Sequence, residues 1–137
     1  MVVIDATGHV IGRLSSAVAK RLLNGEDVVI VNAEKSLITG RRGWLLNEFR
    51  ERRERGSQRK GPFYPRRPDR ILWRSIRGMV PYQQPRGREA MKRLRVYVSV
   101  PAAVKDQPLE RVPGADRVNT VRYMTLGEIS ERLGGSF

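Results

Sequence analysis

The sequence predicts a single α/β domain over residues 1–137, with parallel strands and a strongly basic segment at about residues 41–95. A length of 137 residues fits one domain, since domains usually contain about 100–200 residues. The chain begins with a strand–helix–strand pattern, the βαβ unit whose two strands are parallel. A third apolar strand follows the basic segment, so further strands are available to complete a sheet.

The βαβ unit is the first element of the chain. Val2–Ile4 is a short apolar run, and residues 11–22 carry apolar side chains at helical spacing. Asn24-Gly25 predicts the end of this helix, because glycine adopts the left-handed conformation without strain. Val28–Val31 is apolar without alternation, which is typical of a strand buried on both faces.

The basic segment, residues 41–95, starts with a predicted helix. Residues 42–55 are helical by composition, and beyond Arg50 they offer no apolar face, so this end should project from the body. Glu48 with Arg52 and Glu51 with Arg55 form i,i+4 pairs worth about 0.2–0.5 kcal/mol each. A solvated, salt-bridged helix is therefore the alternative to a nucleic-acid contact here.

An arm follows at residues 56–67. It contains two glycines, two prolines and four cations around Phe63 and Tyr64, and it contains no acid. Such a segment cannot bury itself, but its cations can meet phosphates while its rings stack on unpaired bases. A flexible linker is the alternative interpretation.

A second helix of the basic segment is predicted to open at Pro68-Asp69. One stripe of this helix is apolar, comprising Leu72, Ile76 and Met79, and another is cationic, comprising Arg70, Arg74 and Arg77. At a rise of about 1.5 Å per residue, the three guanidinium groups span roughly 10 Å and can reach several phosphates. Any amphipathic helix has a polar stripe, but this one lacks compensating acids beyond Asp69. A turn-rich loop at 78–88 then leads into residues 89–94.

Two strands and a helix are predicted after the basic segment. Residues 96–100 predict a third strand, which Pro101 ends. Residues 118–124 are a candidate fourth strand, although polar residues interrupt the apolar pattern. Thr125–Glu128 fits a capping box, in which the Thr hydroxyl and the Glu carboxylate each satisfy a free backbone N–H. Apolar residues on one face continue this helix to Leu133.

The net charge of +13 is confined to the basic segment. Residues 41–95 contain 18 Lys and Arg against 5 Asp and Glu, whereas the other 82 residues contain 9 of each sign. Such a field attracts a polyanion, either nucleic acid, an anionic membrane surface or an acidic protein. Arginine supplies 22 of the 27 cations, and its planar fork binds phosphate and stacks on bases, which favours nucleic acid. Genomic bias or thermal adaptation toward arginine is the alternative explanation of the excess, but neither accounts for its clustering in one segment.

Catalytic and metal sites are not indicated by the sequence. It has no cysteine and one histidine, His9, so thiolate zinc sites and two-histidine metal sites within one chain are excluded. His9 is interpreted as structural or as one more phosphate contact. The turn at residues 5–14 lacks the glycine spacing of nucleotide-binding loops. The longest apolar runs have four residues, against the roughly 18 needed to cross a bilayer. We expect no catalytic residue, cofactor, metal, membrane contact or small-molecule substrate.

Three blocks of the sequence resemble one known family. They are residues 5–16, residues 28–34, and residues 74–81 followed by Gly87-Arg88 and Ala90. The chain resembles the universal large-subunit ribosomal protein thirteen family, in its archaeal and eukaryotic branch. The resemblance implies a three-layer α/β/α domain on a mainly parallel four-stranded sheet. It also implies a cytoplasmic, ribosome-bound protein that joins the large subunit early in assembly and has large-subunit rRNA and neighbouring ribosomal proteins as partners.

The candidate RNA-binding residues are cations and rings of the basic segment. Candidate phosphate contacts are Arg41, Arg42, Arg59, Lys60, Arg66, Arg67, Arg70, Arg74, Arg77, Arg86, Arg88, Lys92 and Arg93, and candidate stacking residues are Phe63, Tyr64 and Tyr82. Two other functions fit parts of the chain. The βαβ start would suit an enzyme acting on a phosphorylated small molecule, although the loop chemistry is missing. A DNA-binding regulator would use the same cations, but the Gly/Pro-rich arm suits irregular RNA better than a duplex groove.

Overall fold

The computed structural model describes residues 1–57 and 59–137 and contains five α-helices and five β-strands within them. The helices are α1 Ile11–Leu23, α2 Arg42–Glu54, α3 Pro68–Arg77, α4 Pro85–Lys92 and α5 Leu126–Arg132. The strands are β1 Val2–Asp5, β2 Val28–Val31, β3 Leu37–Thr39, β4 Leu94–Val96 and β5 Tyr123–Thr125. Short 3₁₀ turns lie at Ala33–Lys35 and Ala102–Val104. None of the helices in these two ranges is long and apolar enough to span a bilayer.

The main sheet is parallel, with the strand order β1-β2-β4. Val3 lies opposite Val29, so the two strands of the βαβ unit pair directly. Beyond the outer edge of β1, Glu110 adds a single parallel bridge to Ile4, through main-chain hydrogen bonds of 2.8 and 3.0 Å. The predicted α/β class and mainly parallel sheet are confirmed.

The remaining two strands form a separate antiparallel sheet. In it, β3 pairs with β5, with Ile38 opposite Met124. Of the candidate fourth strand at 118–124, only residues 123–124 lie in a strand, β5, which does not join the parallel sheet. Within the described residues the parallel sheet therefore has three strands and not the predicted four. Half of the predicted capping box forms next to this strand: the main-chain N–H of Glu128 donates to Oγ1 of Thr125 at 3.2 Å. The Glu128 carboxylate lies 3.6 Å from Arg42 instead.

The two faces of the parallel sheet are covered differently. Strand alternation points Val28 and Ile30 to one face and Val29 and Val31 to the other. The first face lies in the main core, which also contains buried residues of α1 and α3. The second face forms a smaller cluster with Val104, which belongs to a 3₁₀ turn. The expected third layer is thus a turn rather than an α-helix in the described residues, because three prolines after β4 interrupt helix formation.

The basic segment folds back onto the body at three places. Leu45 and Phe49 of α2 are buried, and the helix then continues into exposed residues as predicted. Helix α3 packs against α1, where the Oγ atoms of Ser15 and Ser75 lie 3.0 Å apart. Helix α4 begins at Pro85, inside the predicted loop, because proline fits the first turn of a helix. The strand predicted at 96–100 is wrong except at Val96, because β4 begins at Leu94 and ends at Val96.

Candidate nucleic-acid interface

The carboxyl ends of parallel strands are where α/β proteins commonly bind ligands, but here hydrogen bonds within the chain close that edge. Oδ1 of Asp5 accepts from N–H and Oγ1 of Thr7, at 3.0 and 2.7 Å, and from Nδ2 of Asn32 at 3.0 Å. Burial is the largest influence on the pKa of Asp5 and raises it, but these hydrogen bonds outweigh it, so the pKa lies below 3.8. Beyond β2, Glu34 accepts from the N–H of Ser99 at 3.0 Å. These polar groups are therefore used in hydrogen bonds that hold the fold together at this edge of the sheet.

His9 has a structural position. Its side chain is 0% exposed, and Nε2 accepts a hydrogen bond from the N–H of Val112 at 3.3 Å. Burial lowers the pKa of His9, and the nearby Arg111 lowers it further. These effects outweigh the attraction of Asp5 and Asp116. A buried neutral imidazole cannot contact a phosphate, so the structural interpretation of His9 holds.

Tyr64 is the point where three parts of the basic segment meet. Its half-buried ring packs edge-on against Phe49 of α2, with centroids 6.0 Å apart and planes at 67°. The guanidinium carbons of Arg52 in α2 and Arg74 in α3 lie 5.9 and 4.8 Å from the Tyr64 centroid, within the range of cation–π attraction. Arg53 also donates to the Tyr64 carbonyl oxygen at 3.0 Å. Tyr64 therefore fixes the arm against α2 and α3.

A small cavity beside Tyr64 concentrates positive charge. Its volume is about 300 Å³, and it is lined by Arg52, Arg55, Pro62, Tyr64 and Arg74. Within the described ranges no carboxylate lines it. One of the three guanidinium groups, that of Arg52, pairs with Glu48 outside this lining. Such a group of arginines is well suited to hold a phosphate, because each guanidinium can offer two parallel hydrogen bonds.

Two cations of this cavity, Arg52 and Arg55, were not predicted from the sequence. The i,i+4 pattern had assigned them to ion pairs, and the pair of Arg52 with Glu48 is present at 3.4 Å. The pair of Arg55 with Glu51 is absent from the ion pairs found among the described residues. The overlooked signal is Gly56, whose φ of 88° turns the chain directly after α2. That turn lets the arm return beside the last turn of the helix.

The arginines of the cationic stripe of α3 differ in their exposure to solvent. Arg70 is exposed, whereas Arg77 is half-buried, with its guanidinium carbon 4.8 Å from the Tyr82 centroid and 5.6 Å from that of Trp73. The predicted apolar stripe is correct for Leu72 and Ile76, which are buried. It is wrong for Met79, which is exposed because α3 ends at Arg77. In the cationic stripe, Arg70 therefore faces solvent, whereas Arg77 contacts aromatic rings.

Most of the other candidate cations lie on the surface. The exposed ones are Arg41, Arg42, Arg59, Lys60, Arg66, Arg67, Arg86, Arg88 and Lys92. Three of these have acidic neighbours: Arg42 lies 3.6 Å from Glu128, Arg67 lies 3.4 Å from Asp69, and Lys92 lies 3.5 Å from Glu89. Phe63 is 61% exposed and Tyr82 is 39% exposed, so both rings have a free surface.

Arg93 differs from the other candidate phosphate contacts. It is half-buried, and its Nη2 donates to the main-chain carbonyl oxygen of Leu22 at 2.6 Å. Arginines outside the basic segment make similar structural contacts: Arg13 donates to two carbonyl oxygens of the 114–117 turn, at 3.0 and 3.1 Å. Arg111 donates to the Thr7 carbonyl oxygen at 2.7 Å. These side chains tie distant parts of the chain together.

The comparisons with known proteins agree on one family. Residues 1–103 match the family model described as Ribosomal protein L13. The chain is 53% identical to the large ribosomal subunit protein uL13 of Methanosarcina barkeri, with full coverage of both chains. It is 49% identical to the protein of the same name from Archaeoglobus fulgidus, over 96% of this chain and 86% of that protein. The uL13 protein of Methanocaldococcus jannaschii is 48% identical, with full coverage of both.

Proposed function

Because the chain belongs to the ribosomal protein L13 family, we propose that it is a component of the large ribosomal subunit that binds large-subunit rRNA through its basic segment. Its family consists of structural constituents of the ribosome, so the chain is not an enzyme. The proposal includes neighbouring ribosomal proteins as partners, a ribosome-bound location in the cytoplasm, and entry into the subunit early in assembly.

The observation that carries the RNA contact is the separation of charge along the chain. The whole net charge of +13 resides in residues 41–95, and most candidate cations there are exposed. Exposed cations that meet phosphates release condensed counterions, so binding by this segment should weaken steeply as salt rises. The α/β body supports these side chains because α2 and α3 are anchored in its core.

This proposal is tested by measuring the salt concentration at which the protein dissociates from large ribosomal subunits. Large subunits would be sedimented through sucrose at rising salt, and the protein would be detected by immunoblot. We expect it to sediment with large subunits and to leave only at high salt. Protein that stays in the soluble fractions at low salt would contradict the ribosomal role.

A matched pair of charge variants tests where the contact lies. The first carries Gln at four exposed cations of the basic segment, Arg59, Lys60, Arg86 and Arg88. The second carries Gln at four exposed cations outside it, Lys20, Lys35, Lys105 and Arg132. Both lose the same charge, but we expect only the first to leave the subunit at distinctly lower salt. Equal release of both variants would show that total charge, and not the basic segment, makes the contact.

The proposal that the protein enters the large subunit early in assembly is tested by labelling newly made subunit particles. The protein should be found in large-subunit precursors that still lack late-joining proteins. Its presence in completed subunits alone would contradict an early role while leaving rRNA binding intact.

A further inference from the structure

A second and larger cavity adjoins the small cavity beside Tyr64. It has a volume of about 510 Å³ and lies between the start of α1, β3, α2 and α3. Its walls are mostly apolar and include Leu45, Phe49 and Ile71. A cavity of this size and lining falls within the usual range of small-molecule sites, about 300–1,000 Å³. It is therefore large enough to enclose a nucleobase.

Aromatic rings stand at the opening of the larger cavity. Trp44 lines it and is 62% exposed, which is unusual for so large an apolar side chain. Tyr64 also lines it, and the contact with Phe49 holds that ring in place. A fixed ring and an exposed ring beside one opening provide stacking surfaces of the kind that unpaired bases occupy in RNA complexes.

The two cavities are continuous in their lining. Arg52, Tyr64 and Arg74 line both. Among the described residues, the larger one has a single carboxylate in its lining, that of Glu48, which pairs with Arg52 at 3.4 Å. The smaller one adds Arg55. An apolar space thus leads directly into a space surrounded by guanidinium groups. A nucleotide has this same division between an apolar-faced base and an anionic phosphate.

We propose that the two cavities together hold one unpaired nucleotide of RNA, with its base in the larger cavity and its phosphate among Arg52, Arg55 and Arg74. This proposal rests on the proposed function, because it names the part of the rRNA that the basic segment receives. Thr39, Ser75 and Glu48 are polar residues of the lining and candidates for hydrogen bonds with the edge of the base. Ser75 also contacts Ser15, with their Oγ atoms 3.0 Å apart, and Glu48 also pairs with Arg52.

Charge complementarity favours a nucleotide over an apolar side chain from a neighbouring protein. An apolar side chain would fill the larger cavity but would leave Arg55 and Arg74 without an anion, since among the described residues only Arg52 of the three has an acidic partner, Glu48. A nucleotide satisfies the apolar walls and the guanidinium groups at once. The occupant is therefore assigned as RNA, and a protein occupant is an outcome that the experiment can detect.

Photocrosslinking in intact large subunits tests the assignment. Trp44→p-benzoylphenylalanine places the probe at the cavity opening, and Phe63→p-benzoylphenylalanine is the matched control. Phe63 is 61% exposed, against 62% for Trp44, and lies in the basic segment without lining either cavity. We expect the Trp44 probe to give a nuclease-sensitive product that maps to a single unpaired rRNA nucleotide. Arg55→Gln should lower the yield at Trp44 about fivefold or more, because a charge-assisted phosphate contact is lost, while the yield at Phe63 stays unchanged.

The possible results separate this proposal from the proposed function. If the Phe63 probe reaches rRNA and the Trp44 probe gives no product, the nucleotide site is wrong and rRNA binding stands. A nuclease-resistant, protease-sensitive product at Trp44 would identify a protein occupant and also overturn the site. An unchanged yield at Trp44 in the Arg55→Gln variant would overturn the placement of the phosphate. If the protein carrying either probe is absent from large subunits, while the unsubstituted chain is absent as well, both proposals fail.

Discussion

Nη2 of Arg93 donates a 2.6 Å hydrogen bond to the main-chain carbonyl oxygen of Leu22. Leu22 lies in the last turn of α1, where its carbonyl oxygen also accepts a main-chain hydrogen bond from the N–H of Gly25 at 3.1 Å. A cation at this end also interacts favourably with the helix dipole. Because Arg93 directly precedes β4, the contact fixes the end of α1 to the start of the neighbouring strand. Its role is therefore in the fold.

We expect Arg93→Met to lower the free energy of unfolding by about 1–3 kcal/mol, the range for a lost hydrogen bond to a charged group. Lys92→Met is the control, because the Lys92 side chain is 75% exposed and surface changes usually stay within about 0.5 kcal/mol. Urea unfolding of both variants measures the difference. Equal midpoints would show that the contact with Leu22 does not stabilise the fold.

The parts of the fold that could be predicted have local signals in the sequence. The apolar run of β2, the Pro68 start of α3 and the Thr125 hydroxyl cap of α5 each depend on residues close in the chain, and all three are present. The division of the strands between two sheets could not be predicted, because β3 and β5 are separated by most of the chain. Strand pairing over such distances depends on tertiary packing and leaves no short-range pattern.

The candidate interface was predictable in composition but not in the role of each side chain. The sequence correctly shows where cations concentrate, yet it cannot show that Arg93 contacts Leu22, 71 residues away. It also could not place Arg52 and Arg55 beside Tyr64, because their spacing from acids favours ion pairs equally well. Contacts between distant residues, and the turn at Gly56 that brings the arm back, decide which cations remain free for a partner.

Stability should depend on pH through His9. The folded-state pKa of His9 lies below its ordinary value of 6.5, so the unfolded chain takes up a proton first as the pH falls. The free energy of unfolding should therefore be fully retained above about pH 6.5 and decline as the pH falls toward the lower, folded-state pKa. Urea midpoints between pH 7.5 and 5 measure this decline.

The control for His9 is the His9→Gln variant, which removes the titrating group. Its stability should stay level between pH 7.5 and 5. It should then decline as the pH falls below the ordinary aspartate value of 3.8, because the pKa of Asp5 is also lowered in the folded protein. If the urea midpoint of the His9→Gln variant falls between pH 7.5 and 5 as steeply as that of the unsubstituted protein, another group is responsible for the pH dependence.

Gly87 should not tolerate a side chain. It is buried in α4, and an added Cβ would overlap the main-chain carbonyl of Pro81. Backbone cannot move aside as a flexible side chain can, so Gly87→Ala should cost about 1–3 kcal/mol or more. Gly43→Ala is the control, because a Cβ there meets nothing within 4 Å. That variant should gain up to about 1 kcal/mol from helix propensity. Thermal unfolding measures both variants. A midpoint temperature of Gly87→Ala equal to or above that of Gly43→Ala would contradict the close approach of α4 and Pro81.

The cations of α3 should separate binding from stability. Arg70 is exposed, so Arg70→Gln should release the protein from large subunits at lower salt and leave its urea midpoint unchanged. Arg77 lies 4.8 Å from the Tyr82 centroid and 5.6 Å from that of Trp73. Arg77→Gln should therefore release the protein at lower salt and, in addition, lower the free energy of unfolding by about 0.5–1 kcal/mol, the value of an exposed cation–π contact. Salt release and urea unfolding, measured on both variants, distinguish the two roles. If Arg70→Gln unfolds earlier than Arg77→Gln, the cationic stripe serves α3 itself and not the RNA.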